Sequence, residues 1–404
     1  MQRNSLLFLL SGLFLVVLAG AIIFFLIPKL REQGTFSPVG IEGFNLPADT
    51  VQARVLEIVD EGIITLGDHT QEYQVMRVEL LEGDHAGETL IVDYGQYQIR
   101  PEGLVINPGE HILVTVGQRP DGEVTAYFTD FVRTRPILLL LGTFIFFSIL
   151  VSGWKGVRSL IGMFFSLSVI IGYIIPQILQ GQDPILVSIT GAFVLLAVTL
   201  YLVSGWTLKT HSAVLGMLLA LLITGFLANY FINLTRLTGF GSEESLFLIQ
   251  MTDVQINLRG LVLGSMIIGA LGVLDDLVTT QASAIFELHD ADRRQDLTTL
   301  YQRGMRIGKD HVAATINILV LAYAGAAMPL LLLFTLSGQQ YGYLVNLEFV
   351  TEEIVRTLVG SLGLILAVPI TTGLASIIAL NQNNLGSIRR FLGPANQGEG
   401  GHTH

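Results

Sequence analysis

The chain contains no cysteine, which rules out a disulfide frame and any thiolate metal site. Charge is scarce as well: Asp, Glu, Lys and Arg make up 14% of its 404 residues, and acids outnumber bases 33 to 22. A net charge of −11 offers no basic footprint, so no nucleic-acid partner is expected. A phosphate-binding GxxxxGK[ST] loop is missing too, because the spacing in GMRIGKD is too short. Apolar residues fill the space, at 51% of the chain. That is too apolar for a soluble domain and predicts a polytopic α-helical membrane protein.

The first apolar run, Leu6 to Ile27, is long enough to cross a bilayer core of about 30 Å at about 1.5 Å per residue. Pro28, Lys29, Leu30 and Arg31 follow it where a cleavage site would want small residues, so residues 1–30 read as a retained anchor helix. Further runs near 136–154, 159–178, 184–204, 211–232, 259–286, 312–336 and 354–380 bring the total to about eight transmembrane helices. Residues 133–383 form the membrane domain, and 384–404, rich in Gly and ending in His402 and His404, a flexible tail.

Between the anchor and the next span the pattern changes. VQARVLEIV, YQVMRVELL, ETLIVDYG, HILVTVGQ and VTAYFTDFV alternate apolar and polar residues, and EGDHAGE, NPGE and RPDGE punctuate them. Residues 40–132 are therefore expected to be a small β-barrel-like domain of the OB type, inserted after the first helix. Lys155, Arg158, Lys209, the cations between Arg293 and Lys309, and Arg389 with Arg390 share one side of these spans, against Arg236 and Arg259 on the other. This bias places both termini in the cytoplasm and the β domain outside a bacterial cytoplasmic membrane. The loop after Asn233, FGSEESLFLIQMTDVQINL, fits either a short helix at the outer face or an ordinary amphipathic loop.

One stretch carries chemistry. GALGVLDDLVTTQASAIFEL puts Asp275 and Asp276 about 21 Å along an apolar span. Asp276, Thr280, Ser283 and Glu287 recur at intervals of four, three and four, so they share one helical face, with Asp275 and Thr279 beside it. Lipid cannot satisfy such a stripe, so it is expected to face the bundle interior or a wet cavity. Asp310 and Asn317, seven apart, mark a face of the next span. The last span begins with Glu352, Glu353 and Arg356 and runs into a Pro-Ile-Thr-Thr-Gly break at 369–373. Three polar helices are thus expected to converge on one cavity. Small residues at Gly269, Ala270, Gly272, Ala324, Gly325, Ala326, Gly360 and Gly363 would let them approach closely.

Three stretches, GALGVLDDLVTTQASAIFEL, MRIGKDHVAATINILVLAYAGAAMPLLLLF and EEIVRTLVGSLGLILAVPITTGLAS, resemble the signature segments of the YibE/F family of bacterial multipass membrane proteins. The resemblance spans roughly residues 130–380. It implies that Asp276, Thr280, Ser283, Glu287, Asp310, Asn317, Glu353 and Arg356 take the polar motif positions. Asp275 departs from the pattern, which has an apolar residue there.

An unpaired charge at mid-bilayer costs roughly 2.5–3.5 kcal/mol on insertion scales, so an acid there takes up a proton or finds a partner. The expected function is a transporter or channel-like permease for a cation, a proton or a cation-coupled solute, with the stripe lining its path. A second reading is a membrane subunit or scaffold that docks a partner protein at segment 288–311 or at the outer β domain. A third rests on GVLDDL, which resembles the Mg-binding Asp-Asp segment of polyprenyl-phosphate transferases, but the downstream Asp-Gly-Asp-Gly run of those enzymes is missing. His289, Asp290, Asp292 and His311 form no recognisable metal spacing. No motif names a cofactor. The expected partners are the lipid bilayer, an ion or small-molecule substrate, and further copies of the chain as a homo-oligomer.

Overall fold

The computed structural model describes residues 50–382, apart from 68, 102, 119–123, 253 and 338–340, together with 392–395. The expected anchor helix at 1–30, the start of the β domain at 40–49 and most of the tail at 384–404 lie outside the described residues. Contacts divide the chain into two compact units that part between Ser148 and Ile149.

The first unit is built on a five-stranded antiparallel sheet. Its strands are β1 (Thr50–Leu66), β2 (His69–Leu80), β3 (Thr89–Tyr94), β4 (His111–Gln118) and β5 (Val124–Phe131), in the order β3-β2-β1-β4-β5. Side chains alternate across a sheet with a period of two. Accordingly Met76, Val78 and Leu80 of β2, Val92 and Tyr94 of β3, and Ile112, Val114 and Val116 of β4 all enter one apolar core. Shifts in register after Val55 and after Ile58 bend β1, which pairs with β2 along most of its length and with β4 over Thr50–Arg54.

The sheet does not close into the barrel expected from the sequence. Its edges β3 and β5 are not hydrogen-bonded neighbours; they meet through side chains, with the Tyr94 ring 4.5 Å from Phe128 and 5.9 Å from Phe131. Alternation reports which face of a strand is buried, and closure depends on edge pairing that alternation does not encode.

A polar tie fixes the loop after β3. Buried Gln71 donates to Gly95 O at 2.6 Å and Gln98 O at 2.7 Å and accepts from Arg100 N at 3.0 Å. Gly95 has φ 100°, and a Cβ there would lie 2.9 Å from Arg100 Cδ and 3.0 Å from Glu72 O, so only glycine fits. Replacing Gln71 by Leu strands three backbone groups. It is expected to destabilise the β unit by about 1–3 kcal/mol, seen as faster hydrogen exchange across residues 95–100.

The second unit is helical. A run beginning in the first unit, α1 (Thr134–Val169), continues through a π-helical turn at Ile170–Ile174 into α2 (Ile175–Leu179). Gly153 interrupts α1 with φ 54° and ψ −133°, a conformation open to glycine, so two helices meet there. This break falls at the end of the span expected at 136–154, a few residues before the one expected at 159–178. Then come α3 (Pro184–Ser204), α4 (Leu208–Leu234), α5 (Glu243–Met251), α6 (Leu258–Ala291), α7 (Leu297–Ala326), α8 (Met328–Ser337), α9 (Tyr341–Leu344) and α10 (Glu348–Asn381). The loop after Asn233 thus holds a short helix, α5, whose N-cap Ser242 accepts from Ser245 N.

Among the described residues five helices are long and apolar enough to cross a membrane, or six if α7 and α8, bent by 63° at Ala327, count as one span. The Pro-Ile-Thr-Thr-Gly segment, expected as a break, lies inside an unbroken α10. Proline removes one backbone donor, which a helix of this length tolerates; one turn on, Thr372 Oγ1 donates to Val368 O at 2.6 Å.

Candidate functional site

Helix α6 starts at Asn257, whose side chain accepts from Gly260 N at 3.0 Å. Its apolar side is the one that enters the bundle. Leu274, Leu277, Val278, Ala282, Ile285 and Phe286 are all at most 1% exposed. The polar stripe points the other way: Asp276, Thr280 and Glu287 are exposed and Ser283 is half-buried. Of the two settings expected for the stripe, the bundle interior and a wet cavity, the interior of its own bundle is therefore the one corrected. The four neighbours α3, α4, α7 and α10 claim the apolar side, because burying that side gains packing without stranding polar groups.

The outward face runs the length of the helix. Ser265, Gly269, Gly272, Asp276, Thr280 and Glu287 are exposed at intervals of three, four or seven, and a Cβ on Gly269 or Gly272 would meet nothing within 4 Å. Beside it, on the flank, Asp275 is half-buried. Asp275 Oδ1 and Thr279 Oγ1, one turn apart, are both shielded from solvent with no hydrogen-bond partner among the described residues. Lys209, near the start of α4, reaches across to donate to Ser283 Oγ at 3.2 Å and lies within electrostatic reach of Glu287.

The remaining expected site residues do not join this group within one chain. Asp310 and Asn317 on α7 are exposed. Asp310 follows the buried Gly308 by two positions, which places it about 200° around the helix, away from the bundle. Arg356 pairs with Glu352 and Glu353 in the first turns of α10. Some four turns of helix separate it from Thr372, the α10 residue level with Gln281 of α6. Of the small residues, Gly363 packs on Thr224 of α4 and Ala270 is buried, whereas Gly325 and Gly360, like Gly269 and Gly272, have open space.

Three features escaped the sequence reading. Gln281, 1% exposed, donates to Gly304 O at 2.9 Å and to Thr372 Oγ1 at 2.7 Å, joining α6, α7 and α10. Gly304 and Gly308 form a Gly-x-x-x-Gly pair whose missing side chains let α7 approach Ile285, Gln281 and Val368. That spacing was legible in RGMRIG as a packing signal. Glu348, the first residue of α10, accepts from Thr238 N at 2.6 Å, Gly239 N at 2.8 Å and Thr238 Oγ1 at 2.8 Å, pinning the turn after α4. Its substitution by Ala should cost about 1–3 kcal/mol and raise protease cleavage between residues 235 and 242 without changing the rest of the fold.

Segment 288–311, expected as a partner-docking element, splits between two environments. Leu300, Gly304 and Gly308 are buried, while Arg303, Arg306, Lys309 and Asp310 stay exposed. The helix begins at Asp296, whose carboxyl accepts from Thr299 N at 3.2 Å; hydrogen bonds from Thr299 hold it below the usual carboxylate range. Among the described residues no group of three or more His, Asp or Glu is placed to hold a metal ion.

The family model for YibE/F-like proteins matches residues 140–381, more than half of the chain. The chain belongs to the YibE/F-like family. The match covers all of α2 to α10 and begins after the last of the five strands. No curated protein and no solved structure matches the chain.

Proposed function

We propose that this YibE/F-like chain is a transporter or channel-like permease of the bacterial cytoplasmic membrane, moving a cation, a proton or a cation-coupled solute along the acidic stripe of α6. One observation carries the reading: among the described residues Asp275 Oδ1 and Thr279 Oγ1 are shielded and have no hydrogen-bond partner, in the midst of an apolar helix and next to the exposed Asp276 and Thr280. Structural polar groups in a membrane find partners within the fold, and an orphaned carboxylate with a hydroxyl one turn away suits a transient cation or proton. Asp275, Asp276, Thr280, Ser283 and Glu287 would line the path. The ammonium of Lys209, close to Ser283 and Glu287, would set the field at one mouth.

In this reading the cation bias of the loops puts both termini in the cytoplasm and the β unit outside. The rolled five-stranded sheet, with β1 shared between β2 and β4, supports an OB-type module there. The test is flux by purified protein in proteoliposomes across protons, Na⁺, K⁺, Mg²⁺ and Mn²⁺. Flux that is carried by the native chain and lost in Asp275→Asn/Asp276→Asn supports the path; no flux for any of these ions, from protein that is folded, removes it.

A further inference from the structure

The two polar faces that the sequence assigns to one cavity are held apart by the fold of a single chain. On α6 the residues that meet α7, Gln281 and Ile285, lie on the far side of the helix from Asp276 and Glu287 by the 100° step of an α-helix. On α7 the row Arg303, Arg306, Asp310 and Asn317 lies opposite the buried Leu300, Gly304 and Gly308. The stripes therefore look outward in opposite directions. A bilayer satisfies neither of them where they run at hydrocarbon depth.

We infer that a second copy of this chain closes the path: the acidic stripe of α6 in one protomer packs against the basic row of α7 in the next. This rests on the proposed path along α6 and adds what completes it. Depth supports the pairing. Gln281 donates to Gly304 O, while Ile285 and Gln281 meet Gly304 and Gly308 in turn, so α6 and α7 run antiparallel with Gln281 level with the Gly304–Gly308 turn. Copies sharing one membrane plane keep that register. Lys309 and Asp310 of the partner then fall at the depth of Asp276, Arg306 near Thr280 and Arg303 near Glu287, to within a turn.

Charge supports it as well. The α6 stripe carries Asp276 and Glu287, and the α7 row carries two cations, Arg303 and Arg306, and one acid, with the exposed Lys309 beside it. Arg303 is only loosely engaged, at 3.9 Å from Asp292. Shape completes the fit, since Gly269 and Gly272 leave the α6 backbone open to a neighbouring helix. The association reunites Asp310 and Asn317 with Asp276 and Thr280, across the subunit boundary. Because the two faces differ, the contact is heterologous, and the copies form a ring where the rotation closes.

The absence of native cysteine makes cross-linking a direct test. Gly272→Cys on α6 and Ala314→Cys on α7 occupy exposed positions at similar depth, and neither is a residue of the path or of the charge row. Two differently tagged chains, one with each substitution, are co-expressed and oxidised in native membranes. The expected result is a cross-linked heterodimer that appears only when both cysteines are present, and a ladder of higher species from the chain carrying both. Gly272→Cys linking to itself would overturn the pairing in favour of an α6–α6 contact. A native chain of monomeric mass in lipid nanodiscs, with no cross-link in either arrangement, would overturn the assembly. Flux is read separately: cross-linking without flux keeps the interface and removes the path, and flux from a strictly monomeric chain keeps the path and removes the interface.

Discussion

In proteoliposomes the Asp275→Asn/Asp276→Asn chain is expected to lose ion flux by at least about tenfold, equivalent to about 1.4 kcal/mol in the occupancy or barrier that governs transfer. Asn preserves the shape of each side chain, removes the charge and the ionisable proton, and puts an amide NH₂ donor in place of one carboxylate oxygen. Asp275 Oδ1 accepts no hydrogen bond among the described residues, so its loss breaks no internal contact there. An intramembrane charge costs roughly 2.5–3.5 kcal/mol on insertion scales. The double variant should therefore fold at least as well as the native chain, measured by size-exclusion profile and thermal melting in detergent. The single variants separate the two acids. Asp275→Asn, at the shielded orphan, is expected to abolish flux alone, whereas Asp276→Asn, on the outward face, should also weaken any contact between copies, measured by the yield of the Gly272–Ala314 cross-link.

Gly308→Leu is expected to have the opposite profile, losing the folded protein itself. A Cβ at Gly308 already crowds Val368 and lies 3.0 Å from Gln281 Oε1. A leucine therefore drives α7 away from α6 and α10 together. Overpacking a tight contact costs typically about 1–3 kcal/mol and sometimes more. Separation also strands the Gln281 amide, whose bonds to Gly304 O and Thr372 Oγ1 tie the three helices; interhelical bonds of this kind average about 0.6 kcal/mol in membranes, with a maximum near 1.7. The variant should run as aggregate on fluorescence-detected size exclusion. Gly308→Ala should show the same sign with a smaller shift in melting temperature. Gly269→Ala, where a Cβ meets nothing within 4 Å, should leave melting unchanged. A Gly308→Leu chain as stable as the native one would show that α7 does not depend on this close approach.

The contrast between these glycines shows how far the sequence reaches. Small residues at helical spacing announce that helices can approach, and the sequence marked Gly269, Gly272, Gly325, Gly360 and Gly363 on that ground. Of these, Gly363 makes such a contact, with Thr224, and the tightest α7 contacts fall at Gly304 and Gly308, inside a segment dominated by cations. Composition along a helix does not say which neighbour comes to which face. The same holds for Gln281, a lone amide between Thr280 and Ala282, whose role exists only because Gly304 and Thr372 arrive from two other helices.

By itself the sequence determined the class of the molecule. Apolar length made the helices, period-two alternation made the strands of the β unit, and the signature stretches pointed to the YibE/F family, because each is a local property of consecutive residues. Spacing alone also placed Asp276, Thr280, Ser283 and Glu287 on one face of α6. The tertiary structure decided where that face looks. Four neighbours compete for one side of α6 and take the apolar side, which packs most tightly without stranding a polar group. The acidic stripe is left on the outside of its own bundle, a direction set by the packing of helices distant in sequence.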